Sequence, residues 1–293
     1  MDDSLKDCSL VLAMHGSTED DRPRKAGQWL ASALMQEARP AEVIPCYYKH
    51  DPWMQEALGQ CSRNKVLVQP MLMSNGYFAQ KVFPKALGIS QDPIETFPTT
   101  FSLHGKQVCC APPLGIDPAL SDVVLGCAAD CLERYPFPVR IPLKSAAIAL
   151  VGHGTPRHSQ STQSALDVVA AIQQRHEACS DIRAFFIEEP PRVEEILQWS
   201  SAAKDVVVVP FMIADGPHAI LDIPLALGEP EKRVQACLAQ GSPTWRNPTQ
   251  RNRQRIWITP PVGLSHRIPA LITRRLRELA GRMLAKDSES LMD

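Results

Sequence analysis

Several features that would assign the protein to other classes are absent from the sequence. Its 293 residues carry a formal net charge of -1, with 31 basic and 32 acidic side chains, so no charge excess favours nucleic acid or a membrane surface. No run of about 18 apolar residues occurs, so no transmembrane helix is predicted. The acidic, polar start lacks the basic segment and apolar run of a secretory signal. We therefore expect a cytoplasmic protein that binds neither nucleic acid nor membranes.

Common catalytic and cofactor motifs are also missing. The nine cysteines are odd in number and contain no C-x-x-C pair, so neither a disulfide framework nor a cysteine zinc site is predicted. No Gly-x-Gly-x-x-Gly motif follows a strand and no P-loop is present, which argues against nucleotide binding. A Cys–His protease is not supported either, because no cysteine stands beside a candidate histidine at a strand-to-helix turn.

The sequence does contain an internal repeat. His15-Gly-Ser follows one apolar run, and His153-Gly-Thr follows a similar run 138 residues later. Further blocks recur in the same order: 48–52 with 186–190, 66–70 with 206–210, 76–78 with 216–218, 84–88 with 224–228, and 112–115 with 260–263. The conserved order predicts a duplicated domain. We place the domains at 1–138 and 139–293, joined by the proline-rich connector 135–144.

Each half predicts alternating strands and helices. The strands are short, continuous apolar runs, which is typical of a parallel sheet covered on both faces. The alternation predicts an α/β fold with two tandem doubly wound parallel-sheet domains. Residues 239–255, rich in Gly, Ser, Pro, Asn and Arg, are predicted to form a surface loop before the last strand.

Candidate functional residues fall where ligands bind in open α/β sheets, beyond the carboxyl ends of the strands. His15 and His153 end the first strand of each half. Glu188 and Glu189 end the second strand of the second half, and His218 follows its third strand. Two imidazoles and a carboxylate suit Co²⁺, Ni²⁺, Fe²⁺ or Zn²⁺. They suit proton transfer equally well, so the residue types alone leave both roles open.

Neighbouring residues have candidate supporting roles. Ser17 and Thr155 could cap the helix that follows each His-Gly turn. Basic residues follow them, Arg22 and Arg157 among others, and a helix N-terminus attracts anions. Asp222, four residues after His218, could orient that imidazole or cap the next helix.

These motifs resemble a known family. Gly152-His-Gly-Thr155, a strand-end Glu followed by Pro, and Gly216-x-His218-x-x-x-Asp222-Ile-Pro224 are similar to those of the class II tetrapyrrole metal chelatases. That family includes the sirohydrochlorin cobaltochelatases and ferrochelatases of cobalamin and sirohaem synthesis. The resemblance covers nearly the whole chain. It implies two similar domains facing a central cleft, in which a metal-free tetrapyrrole exchanges two pyrrole protons for a divalent ion.

The resemblance also implies roles for individual residues. His153, Glu188 and His218 become the catalytic residues and metal ligands, with Glu188 preferred to Glu189 because the family glutamate stands several residues before its proline. Residues implied to support the metal ligands or to bind the substrate are His15, Glu189, Asp222, Phe78, Ser17 and Thr155. The metal, Co²⁺, Fe²⁺ or Ni²⁺, is a substrate, and no permanently bound cofactor is implied. A fused pair of domains implies a monomer, with a dimer left open.

The first half departs from the pattern. In the sequence alignment Phe78 stands where His218 does and His50 where Glu188 does, while His15 remains. Phe78 and Tyr77 could instead stack on the macrocycle. In some long family members the catalytic histidines lie in the first half, so the resemblance leaves open which half of this chain is catalytic. We expect a chelatase, a lyase. The alternatives are a metal or tetrapyrrole carrier without turnover, or a ligand-free partner in a pathway complex.

Overall fold

The computed structural model describes residues 4–155, 160–175, 178–199 and 204–290. The first half runs β1 (Cys8–Met14), α1 (Arg22–Glu37), β2 (Glu42–Tyr47), α2 (Met54–Gln60), β3 (Lys65–Pro70), a π-helix (Phe78–Val82) continuing into α3 (Phe83–Ala86), β4 (Thr99–Leu103), β5 (Lys106–Cys110) and α4 (Leu120–Arg134). The second half runs β6 (Ala147–Gly152), α5 (Gln160–Gln173), β7 (Asp181–Phe186), a 3₁₀-helix (Val193–Leu197), β8 (Asp205–Pro210), a π-helix (His218–Asp222) continuing into α6 (Ile223–Ala226), α7 (Glu231–Ala239), β9 (Thr249–Arg251), β10 (Gln254–Ile258) and α8 (Ile268–Ser290). Shorter 3₁₀ turns lie at Leu114–Ile116, Leu143–Ser145 and Val262–Leu264.

The two halves form two five-stranded sheets of the same topology, which confirms the predicted α/β class. The strand orders are β2-β1-β3-β5-β4 and β7-β6-β8-β10-β9. Four strands of each sheet are parallel. The predicted parallel sheets are mixed at one edge, because β4 and β9 are antiparallel edge strands.

Tight turns explain the antiparallel edges. His104 and Gly105 join β4 to β5 with φ of 49° and 75°, and Asn252 and Arg253 join β9 to β10 with φ of 42° and 66°. Positive φ at both residues is typical of the two-residue hairpin turn, which can join only antiparallel strands. The predicted loop 239–255 therefore contains β9 and the start of β10, whereas the connector 135–144 is non-helical up to the turn at Leu143, as predicted.

Apolar burial positions the strand ends. All residues of β1, β6 and β8 are buried, in agreement with strands covered on both faces. Each half has its own apolar cluster, one around Phe83 and Met54, the other around Phe185 and Trp199. Because the buried strands are held in place by this packing, their ends also determine the positions of the polar side chains that follow them.

The compact units of the molecule do not follow the predicted boundary at 138/139. One unit comprises Met1–Asp117 with His266–Asp293, and the other comprises Pro118–Ser265. The last helix of each half is exchanged: α8 packs against α1 of the first half, and α4 packs against β8 and α5 of the second. We call these unit 1 and unit 2. Among the described residues, no helix is both long and apolar enough to cross a membrane.

Candidate metal site

A glycine turn sets the position of His153, directly after β6. Gly154 has φ of 68°, a conformation that L side chains rarely adopt. A Cβ atom there would lie 2.8 Å from Glu189 Oε1 and 2.8 Å from Phe186 Cβ. Only glycine therefore lets the turn pack against the end of β7 and hold His153 at the sheet edge.

His218 is the first residue of the π-helix that follows β8. Its Nδ1 lies 2.6 Å from Asp222 Oδ2, one helical turn further on. A carboxylate can only accept a hydrogen bond, so Nδ1 carries the proton and Nε2 presents a lone pair. Asp222 thus orients His218, which is one of the two roles that the sequence predicts for it. The other role is not seen, because its side chain does not cap α6.

The two imidazoles meet at their Nε2 atoms. His153 Nε2 lies 3.1 Å from His218 Nε2, and the rings are nearly perpendicular. His153 Nδ1 lies 2.7 Å from the carbonyl oxygen of Gly154, which can only accept, so His153 also has its proton on Nδ1. Two lone pairs consequently face each other, an arrangement that a shared proton or a cation stabilises.

The nitrogen spacing suits a metal ion. Metal–nitrogen bonds of about 2.0–2.1 Å meeting at about 100–110° place two nitrogens about 3.1–3.4 Å apart. The side chains of His153, His218 and Glu188 are 44–47% exposed, so an incoming ion can reach them. Within the part of the chain that the structure describes, no group of three or more His, Cys, Asp or Glu side chains is placed to hold a metal ion together. The two histidines are arranged as an open pair.

The two adjacent glutamates have different surroundings. Glu188 Oε1 lies 3.6 Å from His153 Nε2, beside the imidazole pair. Glu189 Oε1 instead accepts hydrogen bonds from the backbone N–H of Thr155, at 3.0 Å, and from the Thr162 hydroxyl. Glu189 therefore braces the His-Gly-Thr turn, whereas Glu188 is the carboxylate next to the histidines.

The hydrogen-bond register corrects the predicted match between the halves. Lys49 N–H donates to His15 O, and Glu188 N–H donates to His153 O in the same way, so Lys49 is the counterpart of Glu188. His50, predicted to match Glu188, matches Glu189 instead. It packs against Gly16, where a Cβ would lie 2.8 Å from His50 Nε2, as Glu189 packs against Gly154.

At the position of His218 the first half has the aromatic ring of Phe78 instead of an imidazole. The rings of His15 and Phe78 meet edge to face with centroids 5.0 Å apart. The predicted cap by Ser17 is wrong, because α1 begins at Arg22 and Ser17 Oγ accepts from the Glu19 N–H. Thr155 is separated from α5 by residues 156–159, which include Arg157 and lie outside the described residues.

We predict that His15 titrates below its ordinary pKa of 6.5. Desolvation by neighbouring side chains lowers the pKa, the bond to the Gly16 carbonyl opposes this, and the Lys49 ammonium lowers the pKa further. The folded state then binds fewer protons than the unfolded state, so the contribution of His15 to stability is present above pH 6.5 and is lost as the pH falls. An NMR titration of the His15 ring tests this. Lys49→Gln should raise the midpoint, Lys144→Gln should not, and a midpoint at or above 6.5 in the wild type contradicts the prediction.

Two repeated α/β sheets with a histidine pair at one strand-end edge define a chelatase-like protein. The CbiX family model matches residues 9–130 and 147–279, and the chain belongs to this family. The two matched segments correspond to the two halves of the repeat.

Individual relatives have low sequence identity to this chain. A probable sirohydrochlorin cobaltochelatase of Halobacterium salinarum is 26% identical over 226 residues, which cover 74% of this chain and 75% of the relative. A multi-domain protein of Deinococcus radiodurans, described as structurally similar to chelatases, superposes with a TM-score of 0.73 at 22% identity. It covers 92% of this chain, which spans only 55% of the Deinococcus chain. CbiX, described as the terminal enzyme of sirohaem biosynthesis in denitrifying bacteria, superposes with a TM-score of 0.63 at 19% identity, covering 92% of this chain and 98% of its own. At these identities the structures support the fold alone.

Proposed function

We propose that the protein is a sirohydrochlorin chelatase that inserts Co²⁺ or Fe²⁺, or alternatively Ni²⁺, into a metal-free tetrapyrrole, with its reactive site in the second half. The observation that carries the proposal is the pair of histidine Nε2 atoms 3.1 Å apart at an exposed strand-end edge. The names of the relatives support the substrate class.

The donor set fits transient metal binding. An imidazole pair with the Glu188 carboxylate beside it suits divalent Co, Ni and Fe ions, and a pair of nitrogen donors leaves coordination positions open for pyrrole nitrogens. Partial exposure of all three side chains allows the ion to enter and to be passed on. A structural site would instead be closed by four ligands.

The same groups can accept the pyrrole protons. Insertion of M²⁺ into the metal-free ring releases two N–H protons, so the charge of the product balances only if bases remove them. Once the ion has left the protein donors, the facing Nε2 atoms of His153 and His218 can share one of these protons, and the Glu188 carboxylate beside them can take the other. Asp222 stabilises the positive charge on the imidazole pair through its contact with His218 Nδ1.

Visible absorbance of sirohydrochlorin with Co²⁺, Ni²⁺ or Fe²⁺ tests the activity. Spectral conversion by the protein faster than the uncatalysed rate supports the proposal. No acceleration with any of these metals contradicts it. A bound but unmetallated spectrum would then favour the carrier.

We predict that Asp222→Asn weakens Co²⁺ binding by about 10- to 100-fold, the usual cost of losing a group that orients a metal-binding histidine. The amide can donate to Nδ1 of His218 and so favour the tautomer with its proton on Nε2, which blocks the lone pair. Isothermal titration calorimetry measures the affinity. Asp92→Asn, an exposed carboxylate elsewhere, is the matched control. Equal affinities of the two variants would refute the orienting role.

A further inference from the structure

The side chain of Arg192 closes the loop that carries Glu188 at the end of β7. Its Nη1 donates to the Ile187 carbonyl at 3.1 Å, and its Nη2 donates to the Glu188 carbonyl at 3.3 Å. The two terminal nitrogens of one planar guanidinium therefore hold two successive carbonyl groups. Hydrogen bonds from a charged donor are stronger than those between neutral groups, so this contact restrains the loop.

These two carbonyls determine the backbone conformation of Glu188. The Ile187 carbonyl belongs to the peptide plane before the Cα atom of Glu188, and the Glu188 carbonyl belongs to the plane after it. Peptide planes are rigid, so their orientations set φ and ψ of Glu188 and the direction of its Cα–Cβ bond. The Glu188 N–H also donates to His153 O at 3.0 Å, which ties the first plane to the histidine turn. The carboxylate, although 47% exposed, is thereby directed toward His153 Nε2, 3.6 Å away.

The backbone of Arg192 is anchored in its turn. Its N–H donates to Glu195 Oε1 at 2.6 Å, at the start of the 3₁₀-helix Val193–Leu197. Arg192 also forms a parallel bridge with Phe186, the last residue of β7, whose N–H donates to Pro191 O at 2.8 Å. The loop is therefore joined at its base, and the guanidinium extends from a fixed position.

The first half forms the same loop without a guanidinium. The last residue of β2 bridges Trp53 as the last residue of β7 bridges Arg192, so Trp53 is the counterpart of Arg192. An indole has a single N–H donor and cannot hold two carbonyls. The first half also has Lys49 in place of Glu188. Arginine and carboxylate thus occur together, in the half that carries the histidine pair.

We propose that Arg192 is a positioning residue for metal insertion, an inference that rests on the proposed chelatase function. Its guanidinium holds the backbone of Glu188 so that the carboxylate stays beside the imidazole pair and takes one of the two pyrrole protons. In this role Arg192 acts through Glu188 rather than on the metal or the tetrapyrrole. Its loss should therefore slow the proton transfer and leave tetrapyrrole binding unchanged.

Steady-state metallation of sirohydrochlorin with Co²⁺ by the full chain tests the role. Arg192→Met should lower kcat about 10- to 100-fold, the cost expected when a reacting side chain loses the group that orients it, and should leave KM near the wild-type value. Glu188→Gln should lower kcat at least as much. The double variant Arg192→Met/Glu188→Gln should be no slower than Glu188→Gln, because Arg192 has nothing to position once the carboxylate is gone.

Two further variants separate positioning from charge and from general effects on unit 2. Arg183→Met removes an exposed arginine from β7 itself, where it pairs with Asp181, and should keep the wild-type kcat. Arg192→Lys keeps the positive charge but lacks the planar pair of donors, so it should recover only part of the lost kcat.

Amide hydrogen exchange followed by NMR provides a measurement that needs neither metal nor tetrapyrrole. In Arg192→Met the N–H of Glu188 should exchange about tenfold faster than in the wild type, because the loop has lost two hydrogen bonds from a charged group. Arg183→Met should leave this exchange rate unchanged.

The outcomes separate this inference from the proposed function. Wild-type kcat and wild-type exchange of the Glu188 N–H in Arg192→Met overturn the positioning role and leave the chelatase standing. Faster exchange in a protein whose wild type shows no turnover supports the hold of Arg192 on Glu188 and contradicts the chelatase. Losses that multiply in the double variant, full recovery in Arg192→Lys, or an equal loss in Arg183→Met would each overturn the inference.

Discussion

His153→Ala and His218→Ala should each lower the rate of sirohydrochlorin metallation by at least about 100-fold, with the double variant little worse than either. Each substitution removes one of the two nitrogens that face each other at 3.1 Å, so it removes both a metal donor and a proton acceptor. Residues that act as a unit show such non-additive losses. The initial rate of spectral conversion with Co²⁺ measures the effect.

The controls for this experiment come from the same chain. His104→Asn changes an exposed histidine in the β4–β5 turn, and asparagine tolerates its positive φ, so full activity is expected. Thermal unfolding should be similar in all variants because both site histidines are substantially exposed. Full activity in the double variant, combined with loss of activity in His15→Ala, would assign the reaction to the first half and contradict the proposed site.

Asp117→Asn should lower the free energy of unfolding by about 3 kcal/mol, because it leaves a buried guanidinium without its charged partner. Arg275 on α8 lies 3.2 Å from Asp117 through Nε, and both side chains are only 9% exposed. Arg275 Nη2 also donates to the Pro112 carbonyl at 2.6 Å. Burial lowers the pKa of Arg275, which shows the cost of holding its charge inside unit 1. Urea unfolding measures the change.

A surface ion pair on the exchanged helix α4 provides the matched control. Arg175 pairs with Asp122 in unit 2, where both side chains are largely exposed, so Arg175→Gln should cost less than about 1 kcal/mol. The double variant Asp117→Leu/Arg275→Leu should recover much of the stability lost in Asp117→Asn, since it removes both buried charges. Equal losses in Asp117→Asn and Arg175→Gln would show that the buried pair contributes no more than a surface pair.

Much of the candidate site could be predicted from the sequence. The repeat, the apolar strands and the glycine turns place His153, Glu188 and His218 at three strand ends, and the structure brings the two imidazoles together there. The match of His50 with Glu188 was wrong by one residue. Nothing in the aligned sequence blocks indicates this one-residue shift. Only the backbone hydrogen bonds of Lys49 and Glu188 fix the register. The different roles of Glu188 and Glu189 likewise follow from side-chain orientation, because it is Glu189 that accepts hydrogen bonds from Thr155 and Thr162.

By itself the sequence determined the duplication, the alternation of strands and helices and the strand-end residues, because these follow from local periodicity and turn chemistry. Only the tertiary structure decided which helix covers which sheet. After duplication, α4 and α8 are amphipathic helices in equivalent positions, and local pattern does not distinguish their partners. The choice depends on long-range contacts such as Arg275 of α8 with Asp117 and Pro112, which join residues more than 150 positions apart. Such contacts exist only when the chain has folded, so the boundary at 138/139 describes the repeat, whereas the compact units follow the exchanged helices.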